Sequence, residues 1–154
     1  MKLYLVQHGE ACSKDVDPDR PLTDQGRRDV DRLVAFLGQA GISADRVIHS
    51  GKLRALQTAE RLSPVIAPGR VPEANGRINP NDDPKAFALF QEERGEVMLV
   101  VGHLPFMARL VSHLLIGDEE KPIVSYHPGS IICLEREKDM NWRLNWMIRP
   151  ELLG

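Results

Sequence analysis

His8 and His103 each stand directly after a short apolar run, Leu3 to Val6 in one case and Val97 to Val101 in the other. Continuous apolar runs of this length read as buried strands. In an open parallel sheet the carboxyl ends of the strands form the crevice where ligands bind. The two imidazoles are therefore placed to face one pocket, with Ser50 nearby after a shorter run, Arg46 to His49. Neutral imidazole titrates near neutrality and carries a free lone pair, so it can attack an electrophile at working pH. The competing reading is that each histidine is a satisfied loop residue, and strand position by itself does not separate the two.

The elements that must position these residues alternate short apolar runs with amphipathic stretches, which predicts an α/β fold with a mainly parallel sheet. After the first strand, Cys12 to Leu22 is polar with two prolines and reads as a loop. Thr23 can cap a helix running to about Gln39, with Val30, Leu33, Val34 and Leu37 on one face and Gly41 ending it. Lys52 to about Leu62 reads as a second helix, punctuated by Pro64, Pro68 and Pro72, with a brief strand near Val71. Residues 74 to 84 read as a turn-rich loop and Lys85 to Glu93 as a short helix. Pro105 fits the first turn of a helix whose stripe is Met107, Leu110, Val111, Leu114 and Leu115. Ser130 to Glu135 and Trp142 to Ile148 read as a late hairpin across Arg136 to Asn141.

Four segments then carry a resemblance. Gln7-His8-Gly9-Glu10-Ala11 is similar to the Arg-His-Gly motif of the histidine phosphatase superfamily. Arg20-Pro21-Leu22-Thr23-Asp24-Gln25-Gly26 resembles that family's R-P-L-T-x-x-G segment. Ser50 to Ala59 resembles its S-x-x-x-R-A-x-Q-T-A helix start, and Val100-Val101-Gly102-His103 its second histidine segment. They occur in the family's order. The short length, without an insertion over the site, looks most like the SixA-type phosphohistidine phosphatases. The resemblance implies a single domain over residues 1–154, built as a three-layer α/β/α sandwich of the phosphoglycerate mutase-like kind, with a mostly parallel sheet between helices.

It also implies residue roles. His8 would be the nucleophile that forms a phosphohistidine intermediate, its other ring nitrogen held by a backbone carbonyl. Arg54 and Arg20 would give forked hydrogen bonds to the phosphoryl oxygens. His103 would hold the same oxygens as an imidazolium, with Gly9 and Gln7 also at the phosphate and amides of the following helix adding to it. The family has arginine where this chain has Gln7. Glutamine keeps hydrogen-bond donors but loses the charge and the fork, a difference between about 1 and about 1.5–3 kcal/mol per bond. Lys52 and Arg77 are candidates to fill that gap. Asp82, Asp83 and Glu10 are candidate general acids, with Glu73 a further option; the opposing reading makes all four surface carboxylates. His49, His113 and His127 match no required position and read as structural. The implied substrate is a phosphohistidine protein or a small phosphorylated molecule. A regulatory module that binds phosphate but turns over poorly, a broad small-molecule phosphatase and a mutase are the alternatives.

Composition narrows the remaining classes. Net charge is −2 over 154 residues with a pI near 6.2, which offers no basic excess for a nucleic-acid backbone. No apolar run approaches the ~20 residues of a membrane helix, and no secretory signal is legible. The two cysteines, Cys12 and Cys133, read as reduced, so a cytoplasmic location is expected. A cysteine-phosphatase loop, Cys-x5-Arg, is excluded because Pro18 and Asp139 occupy the required positions. No Walker sequence is present. Neither metal nor organic cofactor is expected, and oligomeric state is not encoded legibly.

Overall fold

A computed structural model describes all residues, 1–154. Six strands form one sheet: β1 (Lys2–Gln7), β2 (Arg46–His49), β3 (Glu73–Ala74), β4 (Met98–Gly102), β5 (Ile131–Arg136) and β6 (Trp142–Ile148). Four helices accompany them: α1 (Asp24–Gln39), α2 (Leu53–Ile66), α3 (Pro84–Arg94) and α4 (Phe106–Ile116). A short 3-10 turn spans Pro150–Leu152. No helix is long and apolar enough to cross a membrane.

The strand order is β3-β2-β4-β1-β5-β6. The β3/β2, β2/β4 and β4/β1 pairs are parallel, while β5 runs antiparallel to both β1 and β6. The sheet is therefore mixed, with β5 the reversed strand. This follows from the short Arg136–Asn141 connection, which has room for a hairpin and not for a crossover helix. β1 and β4 are neighbours, in a register that pairs Gln7 with Gly102.

Strand alternation divides the core in two. Leu3 and Leu5 of β1, with Met98 and Val100 of β4, pack against Phe87 of α3 and Phe106, Met107, Leu110 and Val111 of α4. Tyr4 and Val6, with Leu99 and Val101, face Val30, Leu33 and Leu37 of α1 and Ala55, Ala59, Leu62 and Ile66 of α2. Because side chains alternate with a period of two, both faces of these central strands are buried, which is why they read as unbroken apolar runs. The result is the three-layer α/β/α arrangement of the phosphoglycerate mutase-like fold.

Local chemistry explains the helix boundaries. Thr23 caps α1 by accepting from the Gly26 amide at 2.9 Å, and Gly41 follows the helix with φ of 70°. Asp83 caps α3 in the same manner. Three expectations need correction. α2 does not stop near Leu62; it continues through Pro64 to Ile66. Proline there removes only the bond to the Glu60 carbonyl, on an exposed residue, and Leu62 and Ile66 bury fully in return. The brief strand lies at Glu73–Ala74 rather than near Val71, which is exposed. Pro105 is the cap of α4 and not a residue of its first turn.

Candidate active site

β1 and β4 end side by side and deliver His8 and His103 to the same edge of the sheet. The two rings are tilted at 53° with centroids 4.9 Å apart. The His8 amide donates to the Gly102 carbonyl at 3.0 Å, which extends the ladder one residue past the strand. The His8 ring nitrogen Nδ1 lies 2.7 Å from the Gly9 carbonyl oxygen. A carbonyl only accepts, so Nδ1 carries the proton and Nε2 keeps its lone pair.

Close packing brings the loop after β1 against α1. A Cβ on Gly26 would lie 2.1 Å from the Glu10 carbonyl oxygen, so only glycine permits this approach at the helix start. Thr23 donates its hydroxyl to the Glu10 carboxylate at 2.9 Å and receives at its own cap. The Leu22 amide donates to Gln57 of α2 at 2.8 Å, and the Gly9 amide donates to Thr58 Oγ1 at 3.0 Å. Thr58 in turn donates to the Arg54 carbonyl at 2.8 Å. One turn of α2 thus holds both the histidine loop and the Arg20–Thr23 segment. Thr58 and Gln57 were not among the expected site residues, although both lie inside the matched Ser50 to Ala59 segment.

The charges acting on the two rings are cationic. Burial first, then Arg54 and Arg20, lower the His8 pKa to about 4, against the raising effect of the Gly9 carbonyl. Burial first, then His8, Arg54, Lys52 and Arg20, bring His103 down to about 3. Both imidazoles are neutral at pH 7 in this field, so the imidazolium expected at His103 requires a bound anion to raise its pKa. Arg54 is itself lowered by burial and by Arg20, and its buried Nε has no partner in the protein. Arg20 donates Nε to the Cys12 carbonyl at 2.9 Å and adopts φ of 50°, an unusual conformation for a non-glycine residue. Partly buried, mutually repelling cations around neutral rings form a site suited to an anion.

Other expected residues are placed differently. Gly9 spends its amide on Thr58 and so does not offer that donor to a phosphate. Gln7 is nearly buried, with an unpartnered Oε1; by alternation with Leu3 and Leu5 it lies on the α4 side of the sheet. Glu10 is bound to Thr23, Asp82 accepts from the Asn79 amide at 2.8 Å, and Asp83 caps α3. Glu73 pairs with Arg46. Each of these four carboxylates thus has a local structural partner. Lys52 lies close enough to act on His103, whereas Arg77 stacks over Phe90. His49 accepts from the Gly51 amide, and His127 bonds Glu151. No three His, Cys, Asp or Glu side chains converge as metal ligands.

Comparison with known proteins agrees with this geometry. Residues 3–72 match the model of the histidine phosphatase superfamily (branch 1). The chain is 28% identical to phosphohistidine phosphatase SixA of Escherichia coli (strain K12), over 97% of this chain and 94% of that protein. It is 30% identical to an uncharacterized protein of Picosynechococcus sp. (strain ATCC 27264 / PCC 7002 / PR-6), over 77% of this chain and 75% of that one. A solved structure of the protein histidine phosphatase SixA complexed with tungstate superposes with a TM-score of 0.87 at 26% identity, with both chains fully covered. With two neutral imidazoles meeting among arginines at the ends of β1 and β4, the chain belongs to the histidine phosphatase superfamily.

Proposed function

We propose that the protein hydrolyses phosphohistidine on a protein substrate, with His8 as nucleophile. The observation that carries this reading is the hydrogen bond from His8 Nδ1 to the Gly9 carbonyl, in a ring 4.9 Å from His103, because it leaves Nε2 as a lone pair inside a cationic pocket. Nε2 attacks phosphorus as the bond to the substrate nitrogen breaks, and solvent supplies that nitrogen's proton. Water then attacks the phospho-His8 intermediate, the P–Nε2 bond breaks, and inorganic phosphate leaves with His8 neutral again. Arg54, Arg20 and His103 hold the oxygens through both steps, where catalysis is mostly positioning and charge stabilisation.

The local engagement of Glu10, Glu73, Asp82 and Asp83 favours an N–P substrate over an alkyl phosphate. An imidazole leaves readily once protonated, so it has little need of a dedicated acid. The likeness to phosphohistidine phosphatase SixA supports the same choice. The test compares wild type with His8→Ala on a phosphohistidine peptide and on p-nitrophenyl phosphate. Turnover that is faster on the peptide and absent from the variant is expected; a variant that keeps the wild-type rate removes His8 from the mechanism.

Gln7 favours one second reading. A neutral amide stands where the family places an arginine, and its Oε1 is buried without a partner. Phosphate binding without turnover of either substrate would make the protein a phosphate- or phosphoprotein-binding regulatory module.

A further inference from the structure

Ser50 joins β2 to the start of α2, and its hydroxyl oxygen lies 2.5 Å from Nε2 of His103. The Lys52 amide donates to the same oxygen at 3.3 Å. With one lone pair used in this way, the hydroxyl still has its proton to give to the ring. The other ring nitrogen, Nδ1, is buried without a partner in the protein, on a residue only 2% exposed. The groups facing this ring are His8, Arg54, Lys52 and Arg20.

We propose that Ser50 is a positioning residue that donates its O–H to Nε2 of His103, so that the neutral ring carries its proton on Nδ1 and presents Nδ1–H to a phosphoryl oxygen. The opposite tautomer would donate Nε2–H to Ser50 and turn a lone pair toward the oxyanion, which repels it. The same logic operates at His8 with the partner reversed. There an acceptor, the Gly9 carbonyl, fixes the proton on Nδ1 and frees the lone pair of Nε2 for attack. At His103 a donor fixes the lone pair on Nε2 and frees the proton. Both rings then hold the same tautomer and show the phosphoryl group opposite halves of it. This assignment rests on reading the site as a phosphoryl pocket.

The test is the imidazole 1H–15N long-range correlation spectrum of the 15N-labelled full chain at pH 7, with His103 assigned by loss of its signals in His103→Gln. Wild type and Ser50→Thr are expected to show a protonated Nδ1 and an unprotonated Nε2 at His103. In Ser50→Ala that preference should be lost, and kcat on the phosphohistidine peptide should fall at least about tenfold, toward the ~10²–10³ that one lost oxyanion donor costs. KM should change little, and Ser50→Thr should restore the rate. A protonated Nε2 in wild type overturns the assignment, as does a Ser50→Ala protein that keeps both tautomer and rate. Should no form turn over any substrate, the phosphatase reading fails, while the wild-type spectrum still decides the tautomer.

Discussion

Thr58→Val isolates the hydroxyl that ties the histidine loop to α2. Valine preserves the branched shape, so the fully buried site keeps its packing and loses only hydrogen bonds. Two bonds are affected, and they are unequal. The Arg54 carbonyl that accepts from Thr58 Oγ1 also takes the regular helical bond from the Thr58 amide, so it stays satisfied. The Gly9 amide has Thr58 Oγ1 as its acceptor and would be left buried and unpaired, at about 1–3 kcal/mol. With a urea m-value of ~1–3 kcal/mol/M for small proteins, the unfolding midpoint should fall by roughly 1 M. Activity should fall as well, because the peptide unit that loses its anchor adjoins the carbonyl orienting His8. A misplacement approaching 1 Å costs up to ~10²-fold. Urea titration of wild type, Thr58→Val and Thr58→Ser, with kcat measured on each, checks both effects; serine should behave nearly as wild type. A valine variant within about 0.5 kcal/mol of wild type and equally active would refute the claim that this hydroxyl anchors the histidine loop.

Gln7→Arg restores a charged donor. Replacing a neutral bond by a charge-assisted one adds about 1 kcal/mol, so tungstate should bind several-fold more tightly by calorimetry; unchanged affinity would mean that position 7 does not reach the anion. Acid should destabilise the folded chain through the two neutral imidazoles. The His8 pKa is near 4 in the folded protein against 6.5 in the unfolded chain, so the unfolded state binds more protons between these values. Stability is then full above about pH 6.5 and declines as pH falls toward 4, by about 3 kcal/mol from His8. In His8→Ala the gap between the unfolding midpoints at pH 7 and 4.5 should narrow, leaving the share that belongs to His103; an undiminished acid loss in that variant would show that His8 does not carry it.

Most of the fold was legible because its signals are local. Thr23 caps its helix within three residues, β2 is bounded as expected, and the polar turn after Arg136 forces a hairpin. α2 was less legible, since proline signals a break from sequence whether or not the buried face continues past it, as Leu62 and Ile66 do here. The site divides along the same line. The histidines and arginines were visible through strand ends and motif order. Their partners were not, because Gly9 meets Thr58 across 49 positions and Ser50 meets His103 across 53. Nor does sequence distinguish a carboxylate poised to donate a proton from one capping a helix, and Asp83 is the latter.

The pairing of Gln7 with Gly102 has a dimensional consequence. Hydrogen-bonded strands lie about 4.7–4.9 Å apart wherever they occur, and the rings that follow β1 and β4 are separated by 4.9 Å. The sheet's own pitch therefore acts as a ruler for the two backbones from which the imidazoles project. Loops around the rim can lengthen, shorten or change composition without altering that gauge, so divergence there can retune which molecule enters while the spacing of the two histidine-bearing strands stays constant.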